Sequence, residues 1–152
     1  MESMPYSVEI VDMQPTILAC VSERVAWGDL PKAIPRLLGE VGEFFKTAPV
    51  RPAGQNVVVY HDPGAEGARL EAGVQVSGEF PRGSRVVCAR TPAGRAAHAI
   101  HIGPYHELGK CHDAVMEFCK GRGFGPGVHW EVYGDWNEDP DVLRTDVYRL
   151  IA

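Results

Sequence analysis

Two segments of this chain carry the same apolar stripe, 74 residues apart. The first consists of Ile34, Leu37, Leu38, Val41, Phe44 and Phe45. The second consists of Leu108, Cys111, His112, Val115, Phe118 and Cys119. Residues spaced i, i+3, i+4, i+7 share one side of an α-helix, so each series predicts a helix with one buried face. The flanking segments repeat in kind. Residues 6–13 alternate in polarity and 16–27 are extended around Pro15. Residues 56–60 and 68–77 read as strands separated by a turn at 61–67. In the second round, 84–91 and 95–102 are extended, and 128–134 and 143–151 read as strands around a turn at 136–140. Pro35 cannot sit deep in a regular helix, so the first helix is expected from about Ile34, with Pro31 in its entry and its end before Pro49. The order predicts one α+β domain over 1–152, a tandem pseudo-twofold repeat of β-α-β-β units at about 5–78 and 83–152. The expected layout is an antiparallel sheet with both helices on one face and a ligand groove on the other.

Bulk properties narrow the function classes. A chain of 152 residues with 45% hydrophobic residues can build a core without disulfides or metal. The net charge is -5 and no long basic run occurs, which argues against direct contact with DNA or anionic lipid. No apolar stretch approaches the roughly 20 residues of a membrane span. The start has no basic segment followed by an apolar one, so no leader is read. Cys20, Cys88, Cys111 and Cys119 lie in apolar contexts without C-x-x-C spacing, consistent with reduced thiols in a cytoplasmic protein.

The repeat exposes one mismatch. Aligning the sister strands on Tyr60 and Tyr133 sets Val58 against Glu131. Alternation places His129, Glu131 and Tyr133 on one face and Trp130 and Val132 on the other. If one face is the helix-packed core, the other carries an acid flanked by an imidazole and a phenol. Glu131 then has two readings. It lies on a wet outer face or pairs with Arg69, Arg144 or Arg149, or it is a binding acid in an aromatic-lined groove. Trp27, Tyr60, Tyr105, Trp130, Tyr133, Trp136 and Tyr148 are the candidate walls and cation–π faces.

Other chemistry is not supported. His98 and His101 would point to opposite faces of a strand, and His106 and His112 do not share a helix face, so no metal site is expected. His112 lies on the apolar stripe and reads as a core histidine. The glycine-rich segment 121–127 lacks the Lys-Ser/Thr of a phosphate loop and reads as a connection. No nucleophile elbow and no cofactor motif occur.

The second half carries His101-Ile-Gly-Pro-Tyr105-His-Glu-Leu, then Trp130-Glu-Val-Tyr133, Asp139-Pro140 and Leu143-Arg-Thr-Asp-Val-Tyr148. The first half carries Tyr60-His-Asp-Pro and Leu70-Glu-Ala-Gly-Val-Gln-Val76. Together these resemble the GyrI-like small-molecule-binding family, which includes effector-binding domains of MerR- and AraC-type multidrug regulators. The resemblance implies a duplicated β-α-β-β fold and binding of bulky, aromatic, often cationic compounds. The acid of that motif matches Glu131, and His101 falls in the matching Gly-Pro-Tyr string. Some relatives resemble hydrolases of cyclopropane natural products, which would make Glu131 and Tyr133 catalytic without a cofactor. Others are gyrase inhibitors, which would make gyrase a partner. The repeat begins within the first ten residues, so a stand-alone domain without a helix-turn-helix segment is expected. The ending Tyr148-Arg-Leu-Ile151 departs from the apolar-Pro pattern of many relatives, and leaves open whether Arg149 contacts Glu131.

Overall fold

In the computed structural model, residues 6–151 are described; expectations for residues 1–5 and 152 lie outside them. In chain order the strands are β1 (Glu9–Met13), β2 (Ile17–Ala26), β3 (Pro52–His61), β4 (Gly67–Val76), β5 (Val87–Arg90), β6 (Gly94–Ile102), β7 (His129–Tyr133) and β8 (Arg144–Leu150). The helices are α1 (Leu30–Phe44), between β2 and β3, and α2 (Leu108–Gly121), between β6 and β7. The fold is α+β, and it divides into two units. The first is Pro15–Thr91, and the second takes the remaining described residues.

The units share one plan. In the first, the strand order is β3-β4-β2-β5, and in the second it is β7-β8-β6-β1. Every pairing within these sets is antiparallel. Each unit is a β-α-β-β segment plus a short edge strand. The edge strands are exchanged relative to the sequence order. β1 pairs with β6 of the second unit, with Val11 opposite Ala96, and β5 pairs with β2 of the first, with Ala19 opposite Cys88. Residues 6–13 therefore belong with the second repeat, not with the segment that follows them. Alternation shows that a strand exists but carries no information on its partner.

Both helices bury the face their stripes predict. Ala33, Leu37 and Val41 of α1 are buried, as are Leu108, Cys111, Val115 and Cys119 of α2. The second core joins those α2 residues to Ala97, Ala99 and Val147, with Tyr6, Phe118, Phe124 and Tyr133 packed around it. Burying such a side chain contributes roughly 1.5–3 kcal/mol, so these stripes anchor each helix to its sheet. α1 begins a turn earlier than Ile34. Pro31 lies in its first turn, where an amide donor has no intrahelical partner, and Pro35 sits on the exposed side, where the lost bond is tolerated. Each helix is entered through a one-turn 3-10 helix, Trp27–Asp29 before α1 and Tyr105–Glu107 before α2. No helix among the described residues is long and apolar enough to cross a membrane.

Candidate functional site

Glu131 lies on β7 and is 3% exposed. A carboxylate this buried needs hydrogen bonds, because desolvation costs several kcal/mol. The His112 Nε2–H donates to its Oε2 at 2.7 Å, and the Tyr133 hydroxyl donates to its Oε1 at 2.5 Å. His112 comes from α2, so Glu131 points to the helix-bearing face of its sheet. The expected placement on the face away from the helix is thereby corrected, and so is the wet-surface reading. Alternation groups residues by face, but the helix chooses which face it covers, and that choice is tertiary.

The three arginines considered as partners are committed elsewhere. Arg69 donates to Ser22 Oγ, Arg144 to both oxygens of Asp146, and Arg149 to the Gly127 carbonyl oxygen. His112 is instead a principal partner. Its sister position on the α1 stripe is Leu38, just as the sister of Glu131 is Val58. Two mismatches between the copies thus meet in space as one hydrogen-bonded pair. That coincidence was visible in the stripes, but only a buried acid in search of a donor makes His112 stand out.

His129 lies one step down the same face, its ring edge-on to His112 at 5.4 Å between centroids. Burial, reinforced by the positive charges of His112 and Arg149, holds it well below its ordinary range, at about 4. It is therefore a neutral imidazole near pH 7. Burial also pushes the Cys111 thiol up to about 12, with Glu131 and Asp146 adding to the shift. That thiol is no nucleophile. Cys20 is held at about 12 in the same way, first by burial, while Cys88 is only half-buried on edge strand β5. In timed labelling with an aromatic disulfide, Cys88 is expected to react first, with Cys20 and Cys111 reacting only on unfolding. Early modification of Cys111, read by peptide mapping, would contradict this burial pattern.

Aromatic residues fall into separate groups. Tyr105 enters α2 and packs edge-on against Tyr133 at 5.5 Å, beside Glu131. Tyr105 is 43% exposed, so this pair reaches from solvent to the acid. Its counterpart in the first unit is Trp27 with Tyr60, at 6.4 Å. The Trp27 indole N–H donates to the Gly64 carbonyl at 2.8 Å, tying it to the β3–β4 turn, where Asp62 takes a left-handed φ of 48°. Trp130 and Tyr148 point from the opposite face of the second unit's strands. They stack on each other at 5.1 Å, and His98 stacks on Tyr148 at 4.6 Å. His98 and Arg144 hold Asp146 there, keeping its carboxyl well below the usual range despite burial. Trp130 and Tyr148 therefore do not share a face with Glu131. Trp136 is 73% exposed in the β7–β8 connection.

His101 is buried and works as an anchor. Its Nε2–H donates to the Pro104 carbonyl at 3.0 Å, which leaves Nδ1 to accept from the Tyr6 hydroxyl at 2.8 Å. The pair spans Gly103, whose φ of +138° favours glycine, and so fixes the turn that presents Tyr105. Among the described residues no group of three side chains is arranged to hold a metal.

A duplicated α+β unit with one buried, hydrogen-bonded acid beside a partly exposed aromatic pair has the makings of a small-molecule-binding domain. The sequence matches the GyrI-like small molecule binding domain over residues 6–151, and the chain belongs to that family. Its fold is similar to that of the EcmrR C-terminal domain, at 19% identity and a TM-score of 0.83, covering 98% of this chain and 99% of that one. EcmrR in its DNA complex is similar at 20% identity and a TM-score of 0.81, covering 97% of this chain; this chain spans only 57% of that longer one. A hydrolase from Listeria innocua shares the fold at 15% identity and a TM-score of 0.59, covering 95% of this chain and 91% of that one. Among curated proteins none matches significantly.

Proposed function

We propose that this domain binds bulky aromatic cations, as a sensing or sequestering module, with Glu131 as the charge-recognition group. The observation that carries this reading is the buried carboxylate of Glu131 beside the Tyr105–Tyr133 pair, where the sister unit has Val58. Coulombic attraction grows as water is excluded, and an exposed acid would contribute only about 0–1 kcal/mol. In the free protein His112 occupies the acid. A ligand cation takes over that role, and the tyrosine rings offer their faces to the aromatic body. Trp136, exposed in the β7–β8 connection of the same unit, is a secondary candidate for contact with the ligand, whereas Trp27 and Tyr60 form the corresponding pair of the first unit. The EcmrR likeness supports the fold alone, and no DNA contact is proposed.

Two probes of matched shape test the charge role: 10-methylacridinium, a fixed cation, and acridine in buffer alkaline enough to keep it neutral. Fluorescence titration is expected to show that Glu131→Gln weakens binding of the cation by about ten- to a hundredfold and of acridine by less than about threefold. Equal losses for both would reject the charge role.

A second reading is favoured by one observation: a carboxylate joined to both a phenol and an imidazole resembles a general-base assembly. On this reading Glu131 takes a proton from water that opens a strained electrophile, and the solved neighbour described as a hydrolase makes it worth testing. Mass spectrometry after incubation with an activated cyclopropane should then show one added water, lost in Glu131→Gln. Binding without turnover would remove this reading for that substrate class. Nothing in the site geometry favours a gyrase-directed role.

A further inference from the structure

Thr145 is fully buried on β8, directly across from His101 on β6 and Tyr133 on β7. Its orientation follows from its neighbours. Asp146 meets His98 and Arg144 on the outer face, while Val147, two residues on, packs with α2. Thr145 therefore faces the helix side, in the same row as Tyr133 and beside Glu131. Among the described residues its Oγ1 has no hydrogen-bond partner. In the first unit the residue across from Tyr60 is Leu70, also fully buried. The second unit thus replaces three aliphatic positions, Leu38, Val58 and Leu70, by His112, Glu131 and Thr145. The first two replacements satisfy each other. The third does not, and valine would fill its volume without burying a hydroxyl.

We propose that the Thr145 hydroxyl is a specificity-determining group of the Glu131 site, donating to an acceptor atom, such as a carbonyl oxygen, on the bound compound. This rests on the binding reading above. The donor role follows from the neighbours. Tyr133 and His112 spend protons on Glu131, and His101 spends its Nε2–H on Pro104. A ligand reaches Thr145 by moving the Tyr133 ring that stands opposite, the same displacement that releases Glu131 Oε1.

The test compares 10-methylacridinium with its 2-acetyl derivative, both cationic and differing by one carbonyl acceptor. Fluorescence titration should show that Thr145→Val weakens the acetyl probe by about three- to tenfold and leaves the parent within about twofold. Thr145→Ser keeps the hydroxyl and should keep the discrimination. The unfolding midpoint of the free Thr145→Val protein should stay level or rise. Equal effects on both probes, or a lowered midpoint with no selective loss, would overturn the proposal and make the hydroxyl a structural group. Failure of both probes to bind the wild type would instead overturn the aromatic-cation reading, and this inference with it.

Discussion

Replacing His112 by leucine is expected to lower stability by about 3–4 kcal/mol, because it strips a donor from a carboxylate that is 3% exposed. Glu131→Val should cost less, about 1–2 kcal/mol, since the half-buried His112 can turn to water. The double variant restores the Leu38/Val58 arrangement of the sister unit. It is expected to equal or exceed the wild type, because a buried polar pair exchanged as a whole for well-packed aliphatics is often neutral or stabilising. Urea unfolding of the four proteins checks this as a cycle. Additive losses in the double variant would mean that the two residues are not energetically coupled. On the binding reading, the stable double variant would also lose the cationic probe, which separates function from folding.

Stability should fall on mild acidification, and His129 gives the sign. Its native pKa lies near 4, below the ordinary 6.5 that it regains on unfolding. As pH drops from about 6.5 towards 4, the unfolded chain takes up a proton that the native state refuses. Stability is full above this window, is lost through it, and levels off below it. The total from this one group is on the order of 3 kcal/mol, with burial as the main cause. Thermal unfolding of His129→Gln should show a flatter pH dependence across that window. An unchanged slope would assign the acid sensitivity to other groups.

These effects differ in how far they were legible beforehand. The stripes at Ile34–Phe45 and Leu108–Cys119 rest on local periodicity, which is written in the sequence. The helices formed where the stripes lay. The start of α1 differs from the expectation at Ile34 because Pro35, which reads as unable to sit deep in a regular helix, faces solvent one turn inside it, while Pro31 occupies the first turn. Glu131 stood out because the repeat supplies its own control at Val58. His112 reads as core, since a histidine on an apolar stripe has no visible partner in one dimension. Thr145 gave no signal at all, because its meaning depends on lying across from Tyr133.

The edge strands show the same limit. Tyr6 and the strand after it carry proper alternation, yet β1 pairs with β6, more than eighty residues along the chain. Pairing partners are set by the closure of the sheet, not by local pattern.

What the sequence alone determined is the duplicated β-α-β-β order, the two buried helix faces, and the position where the copies part at Glu131. These follow from periodicity and from comparing the chain with itself. Only the tertiary structure decided that Glu131 turns towards α2, that His112 and Tyr133 hold it, and that Trp130 and Tyr148 stand on the opposite face. The physical reason is that alternation sorts side chains into two faces without naming them. The helix names them when it packs, and a buried charge acquires its partners only then.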